Sequence, residues 1–238
     1  MRRGGFTLIE CLLGLALSLL VISAGLESFA RTQKAFAGLK AREEADQAAL
    51  AALDRMRIDL LHAGLGLVPE MGLGLVAAAE TNPAEMRLMS VEKELHLAAE
   101  AGAGGTRLPL TSTADIVAGQ RIALREGAAG EVRTVVRLEA GAVVLEAPLE
   151  RAYAPETAVL SLLELVTFFL DGPARILRRR VNASSAQPLL ENAAAAAWTQ
   201  DPSAPLVRVR LELAVKGVHP HEATVFLKNA ALAAGNGK

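Results

Sequence analysis

Residues 4–23 read GGFTLIECLLGLALSLLVIS, and what this stretch does decides the architecture of everything that follows it. From Cys11 to Leu26 no side chain carries a charge, and extended back to Gly4 the run is roughly as long as the ~20 residues a helix needs to cross a bilayer. One residue breaks the pattern. Glu10 lies inside the run, where a carboxylate costs up to ~3 kcal/mol near the centre of a membrane helix and less toward its end. Arg2 and Arg3 precede it and hold the N-terminus on the cytoplasmic side, leaving everything after Leu26 outside. No second apolar stretch of comparable length follows, so at most one crossing is expected.

Several N-terminal devices share these features. A secretory signal peptide accounts for the basic start and the apolar core, with Ser23 to Gly25 as a weak cleavage region, but it leaves Glu10 in that core unexplained. A lipoprotein signal needs a small residue before its cysteine, whereas Cys11 follows Glu10. A plain single-span anchor has no use for a carboxylate at all.

Gly5-Phe6-Thr7-Leu8-Ile9-Glu10, behind a short basic leader, closely resembles the class III signal of type IV pilins and of the pseudopilins of type II secretion, and matches it at every position. The resemblance implies that an inner-membrane prepilin peptidase removes residues 1–5 by cutting between Gly5 and Phe6, then methylates the new amine of Phe6. It also implies a task for Glu10, which in that family pairs with the N-terminal amine of an adjacent subunit and sets the axial step of a filament. The physical logic is direct. Cleavage leaves a cationic amine at the end of an apolar helix, and a buried charge demands a partner. By the resemblance, Gly5 and Phe6 are therefore processing residues and Glu10 an assembly residue, while Arg2 and Arg3 set membrane orientation.

No proline occurs before Pro69, and Gly14, Gly25 and Gly38 are the only helix-weakening glycines between the leader and Gly64. The pattern predicts one helix from Phe6 to about His62, ~85 Å long at 1.5 Å per residue. Residues 6–30 form its membrane or filament-core half, where Gly14 and Ser18, four apart, permit close helix approach. Residues 31–62 form an amphipathic half with Leu50, Leu53, Met56, Leu60 and Leu61 on one stripe, and Arg42, Glu43, Glu44, Asp46, Asp54 and Arg57 mostly off it.

Residues 63–230 read as a β-rich head on which that stripe packs. Residues 64–76 are glycine-punctuated and read as a loop. Residues 206–215 alternate Val207, Val209, Leu211, Leu213 and Val215 with Arg208, Arg210 and Glu212, a strand with one buried face. Residues 131–149 and 164–181 read as hairpins turning at Glu139-Ala140-Gly141 and at Asp171-Gly172. Gln187-Pro188-Leu189-Leu190 reads as a short strand and the alanine run before Trp198 as a connection. The end gives a last strand and a flexible tail over 231–238.

The order of these segments extends the resemblance, to the large minor pilins of the PilW kind and to pseudopilin J. Such proteins often close the helix with Arg-x-Asp-Leu-x-x-Ala-Gly, matched here by Arg57 to Gly64. They tend to follow it with a Val-Thr-aromatic strand, a Leu-x-Arg return, a Gln-Pro-Leu step and a late Lys-Asn, matched by Val166-Thr167-Phe168, Leu177-Arg178-Arg179, Gln187-Pro188-Leu189 and Lys228-Asn229. Residues 113–160 look like the small β-rich insert that some of them carry. Beyond Cys11 there is no cysteine, so the disulfide-stapled C-terminal loop of other pilins is not expected. The fold class is α+β: a long N-terminal helix, its first half transmembrane, packed on a C-terminal antiparallel β-rich head with a small β insert.

A net charge of -1 gives no case for nucleic acid, and with 3% aromatic residues a broad stacking surface is excluded. Arg178 to Arg180 read as strand arginines, and the charged clusters Glu43-Glu44 and Glu92 to Glu94 as solvated faces rather than metal ligands. There is no P-loop and no G-x-S-x-G elbow. His219-Pro220-His221-Glu222 offers two imidazoles, too few for a stable metal site. The chain reads as non-enzymatic, without cofactor or metal. The resemblance implies a minor pilin that helps initiate a type IV pilus or sits at its tip, with prepilin peptidase, other pilins or pseudopilins and an inner-membrane assembly platform as partners. Its location is then the inner membrane, cytoplasmic N-terminus and extracytoplasmic head, followed by the filament. A pseudopilin J-like subunit of a secretion pseudopilus shares every one of these features. An adhesin or DNA-uptake head, and a plain single-span envelope protein, are readings of other classes.

Overall fold

The computed structural model describes residues 8–235. A single helix, α1, runs from Leu8 to His62 without interruption, as the absence of proline requires. The described residues fall into two compact units, one of residues 8–47 with Val215–Val218 and one of Ala48–Ala214 with residues 219–235. In the first unit the turn Val215–Val218 meets the helix at Arg42, so closely that a Cβ added to Gly217 would stand 2.9 Å from the guanidinium carbon.

In the second unit a one-turn helix α2 (Val68–Gly72) follows α1, then β1 (Ala79–Thr81), β2 (Glu85–Leu95), β3 (Arg107–Pro109), β4 (Arg121–Glu126), β5 (Ala129–Glu139) and β6 (Ala142–Leu145). The chain continues through β7 (Val159–Asp171), β8 (Ile176–Val181), β9 (Gln187–Leu190), β10 (Ala193–Gln200), β11 (Leu206–Leu213), β12 (His221–Phe226) and α3 (Lys228–Gly235). The strands form a nine-stranded and a three-stranded sheet, antiparallel at every pairing. The architecture is α+β.

The residues of α1 that pack on the sheets are Ala49, Ala52, Leu53, Met56 and Leu60, joined by Ala63 just beyond. This stripe differs from the expected one. Leu50 and Leu61 remain 56% and 47% exposed, because at 100° per residue they fall on the flank of a stripe centred on Ala49, Met56 and Leu60. The packed face is built on alanine, which lets the backbone approach closely. Against it lie Met86 and Leu88 of β2, Val166 and Phe168 of β7, Leu177, Leu190, Trp198 and Val207, Val209 and Leu211 of β11. Each fully buried aliphatic side chain among these contributes about 1.5–3 kcal/mol.

A second core lies inside a closed barrel. β2, β7, β4, β5, β6 and β3 pair in that order, and the circle closes where Leu97 bridges Leu110, with Ala98 N–H donating to Pro109 O and Thr111 N–H to His96 O, both at 3.0 Å. Leu108, Ile122, Leu124, Val135, Val143, Tyr153, Leu160 and Leu162 fill it. The insert expected over 113–160 thus takes in β3 and the ends of β2 and β7 as well, since no six-stranded ring closes without them. β2 is irregular between Val91 and Lys93, where the sheet passes from beneath the helix into the barrel; a bulge is how a strand makes such a bend.

Three other segments differ from expectation. The loop over 64–76 contains α2, begun by Pro69, whose fixed φ suits a first helical turn. The alanine run 193–197 is strand rather than connection, because β10 is paired along its length with β11. The tail is helical to Gly235, as Asn229-Ala-Ala-Leu-Ala-Ala has high helix propensity and buries Ala233. The strand expected over 206–215 ends at Leu213.

A polar network ties the 146–153 loop to the barrel. Buried Glu131 accepts from Tyr153 Oη at 3.0 Å and from Glu150 N at 3.1 Å, and pairs with Arg133. Burial, and next the bond to Glu131, push the Tyr153 phenol above its ordinary value of 10.0. Its neutral form is therefore favoured in the fold, and this stability is complete below pH 10.0 and lost above it, as the unfolded phenol ionises first. Tyr153 is the one tyrosine, so phenolate absorbance reports it alone. We expect no native titration near pH 10.0 and a urea midpoint that falls above that pH in the parent, with a flatter alkaline limb in Tyr153→Phe.

Candidate functional site

The processing residues Gly5 and Phe6 and the orienting residues Arg2 and Arg3 lie outside the described residues. Glu10 is described, exposed in the first turn of α1, where a carboxylate faces the positive end of the helix dipole. The helix is long and apolar enough to cross a membrane, and no part of its most apolar window is buried. Its polar side chains are closed on the helix itself. Ser18 Oγ donates to Gly14 O at 2.8 Å and Ser23 Oγ to Leu20 O at 2.9 Å, so each hydroxyl has its acceptor within the helix. Charge returns with the Glu27–Arg31 pair at 2.5 Å. Cys11, beside Glu10, is exposed on the same apolar stretch.

The second locus is the end of the helix in the head, where segments distant in sequence converge. Asp59 accepts from Arg179 Nε at 2.7 Å and Nη2 at 3.1 Å, a bidentate pair joining α1 to β8, with Arg55 Nη2 at 3.4 Å from the same carboxylate. Arg179 stands opposite Phe168 on one side and Gln187 on the other. Gly64, at φ +75°, ends the helix in the left-handed region and donates its N–H to Met89 O at 2.6 Å. Asn229 Nδ2 donates to Ala63 O at 3.0 Å. The Arg57–Gly64, Val166–Phe168, Leu177–Arg179, Gln187–Leu189 and Lys228–Asn229 segments singled out in the sequence therefore meet around one helix end. Arg57 itself points to solvent.

The basic run is spent on the fold. Arg178 pairs with Asp171 at 2.9 Å, Arg179 with Asp59, and Arg180 lies over the Phe169 ring at 5.6 Å. These residues are half-buried on their strand and form no free cationic patch. Among the described residues no group of three or more His, Cys, Asp or Glu is placed to hold a metal ion. An open cleft of about 310 Å³ includes Thr199, Asp201, Arg208 and Thr224; hydrogen bonds from the Ser203 hydroxyl and N–H hold the Asp201 carboxyl below its usual range. Sequence reasoning missed a different pair of arginines on β4: Arg125, whose partner Glu70 comes from the segment first read as loop, and Arg121, which neighbours Met89, Leu163 and Asn182.

Comparison with known proteins adds no identification. No family model matches the chain, and no curated protein matches it. Among solved structures, the tailspike protein gp49 from Pseudomonas phage LKA1 is similar over 31% of this chain and 15% of that chain, at 22% identity and a TM-score of 0.26, a likeness too low to carry any argument.

Removing Arg179 leaves the largely buried Asp59 carboxylate with only the longer, half-exposed contact to Arg55, so Arg179→Ala should cost about 2–3 kcal/mol in urea unfolding and Arg178→Ala, at the more exposed pair, under about 1 kcal/mol. A Cβ at Gly64 would stand 2.8 Å from Met71 Cε and 3.0 Å from Ala78 Cβ. With the added backbone strain, Gly64→Ala should cost at least about 2 kcal/mol by the same measurement.

Proposed function

We propose that this chain is a minor pilin-like subunit, processed by prepilin peptidase and acting in the initiation or at the tip of a type IV pilus. The observation that carries this reading is the run Gly5-Phe6-Thr7-Leu8-Ile9-Glu10 set directly before an apolar stretch. Supporting it are a helix long and apolar enough to span a bilayer, its apolar side chains uncommitted within the described residues, and a carboxylate in its first turn. On this reading Phe6 presents a methylated amine and Glu10 supplies the counter-charge on the neighbouring subunit. Glu10 then selects register more than it adds stability, since the burial of both charges offsets most of their attraction.

The head's task is scaffolding. Its arginine run is consumed in internal pairs, which favours a subunit working by assembly over a receptor for nucleic acid. The site of action is then the inner membrane, with the head outside, and afterwards the filament. A pseudopilin of a secretion system would use the same residues in the same way; neighbouring genes for a retraction motor or for an outer-membrane secretin and secretion components separate the two.

The test is intact-mass and N-terminal peptide analysis of the membrane-extracted chain, with and without the prepilin peptidase. A chain beginning at methylated Phe6 only when the peptidase is present is expected, and Glu10→Ala should then be processed normally yet fail to enter filaments. A chain still beginning at Met1, or cut near Gly25, would overturn the reading.

A further inference from the structure

β4 turns two arginines to the same side of the sheet. Ile122 and Leu124 point into the barrel, so Arg121, Ala123 and Arg125 face the other way by strand alternation. That side is covered by the segment following α1, with Leu67 packed on Met89, Ala123 and Leu163. The two arginines on this face fare differently. Arg125 Nε donates at 3.1 Å to Oε1 of Glu70, which α2 holds at 2% exposure. Arg121, half-buried at the other end of the same face, has as its described polar partner only the Met89 sulfur, 3.9 Å from Nη1. A thioether is a weak acceptor, and among the described residues no carboxylate forms an ion pair with Arg121.

Arg121 lines a cavity of about 90 Å³ with Met89, Gly119, Leu163, Leu165 and Asn182. The neighbouring amides are already committed. Gln120 accepts from Val117 N at 2.8 Å and donates to Glu92 at 2.8 Å, and Asn182 accepts from Leu165 N at 2.8 Å and donates to the same Glu92 oxygen at 3.2 Å. The guanidinium is thus the charged side chain of the cavity with no oxygen acceptor among its described partners. Burying it in part costs solvation that a sulfur does not return, and the cavity has room for water or for one carboxylate on a short stem.

We propose that Arg121 anchors a notch for an aspartate or glutamate side chain of a partner protein, doing from outside what Glu70 does for Arg125 from within. The chain solves the identical problem four residues away with a carboxylate delivered by a packed segment, which favours a side chain over a free anion. Val117, 48% exposed at the rim beside Gln120, adds an apolar shoulder that a protein partner covers and a small anion does not.

The test is a titration of the full chain in detergent micelles, followed by the Arg121 Nε–Hε resonance and assigned with Arg121→Lys. The probes are N-acetyl-glutamate N-methylamide, the corresponding glutamine compound, and acetate. A saturable shift with the glutamate probe, none with glutamine, and roughly ten-fold weaker binding both of acetate and by Arg121→Gln are expected, equivalent to about 1.4 kcal/mol. No shift, or an equal response to glutamine, would overturn the proposal. Acetate binding as tightly as the glutamate probe would make this a site for free anions and overturn the partner. Should Arg121→Gln fail to fold, the titrations of the parent chain decide the matter alone.

Discussion

Between Ala49 and Gly64 the helix approaches the sheets on a face made largely of alanine, and most of the head is arranged around that approach. Alanine contributes little area by itself, so the stability comes from what it admits: Met56 and Leu60 sink fully among Phe168, Leu177 and Val209. The same closeness brings the short Asp59 side chain within reach of Arg179. The helix must then stop abruptly, and Gly64 stops it in a conformation other residues adopt only under strain. Asn229, from the far end of the chain, bonds the carbonyl of Ala63 just before that stop, so the last element of the sequence locks the first.

The two cores are not independent. β2 and β7 serve both, with Met86, Leu88, Val166 and Phe168 under the helix and Leu95, Leu160 and Leu162 inside the barrel. A strand shared in this way transmits packing errors from one core to the other, because a one-residue slip turns every side chain to the wrong face. The irregularity between Val91 and Lys93 sits at the transition and lets one strand satisfy two curvatures. Glu131, satisfied on both oxygens by Tyr153, Glu150 and Arg133, fixes the barrel where its longest connection would otherwise lie slack.

What the sequence made legible follows from which signals are local. The helix was readable because proline is absent and apolar residues continue; both hairpins were readable because their turns carry glycine or Asp-Gly. Two alanine runs show the opposite case. Residues 193–197 pair as a strand while residues 230–234 coil into α3, although composition favours helix in both. The deciding term for the first is the ladder with β11, a partner that no local pattern announces. The stripe on α1 was placed about a sixth of a turn off, with Leu53, Met56 and Leu60 in the packed face and Leu50 and Leu61 on its flank, for a related reason: leucine was counted as the packing residue where alanine does much of the packing. Barrel closure through Leu97 and Leu110 was invisible because a two-residue bridge leaves no periodicity. Glu10 stood out in the sequence because a lone carboxylate in an apolar helix is conspicuous without any structure, while Gly5 and Phe6 before it lie outside the described residues.

Charge is distributed in this molecule by where its partner comes from. Asp59 and Glu70 receive arginines from within the chain, and each pair fixes a helical segment onto the sheet; Glu131, paired with Arg133 of its own strand, holds the 146–153 loop through Tyr153 and Glu150 N. On the proposed reading, Glu10 and Arg121 are the residues whose counter-charges arrive from other molecules, one along the membrane helix and one on the head. Glu10 stands on an apolar helix, where a carboxylate is expensive, and Arg121 in a half-buried cavity, where its described side-chain partner is a weak acceptor. At Arg121 a solvation cost left standing in the isolated chain and removed on association favours the associated state, and it does so with the geometry of a single contact, which gives register and orientation rather than mere adhesion.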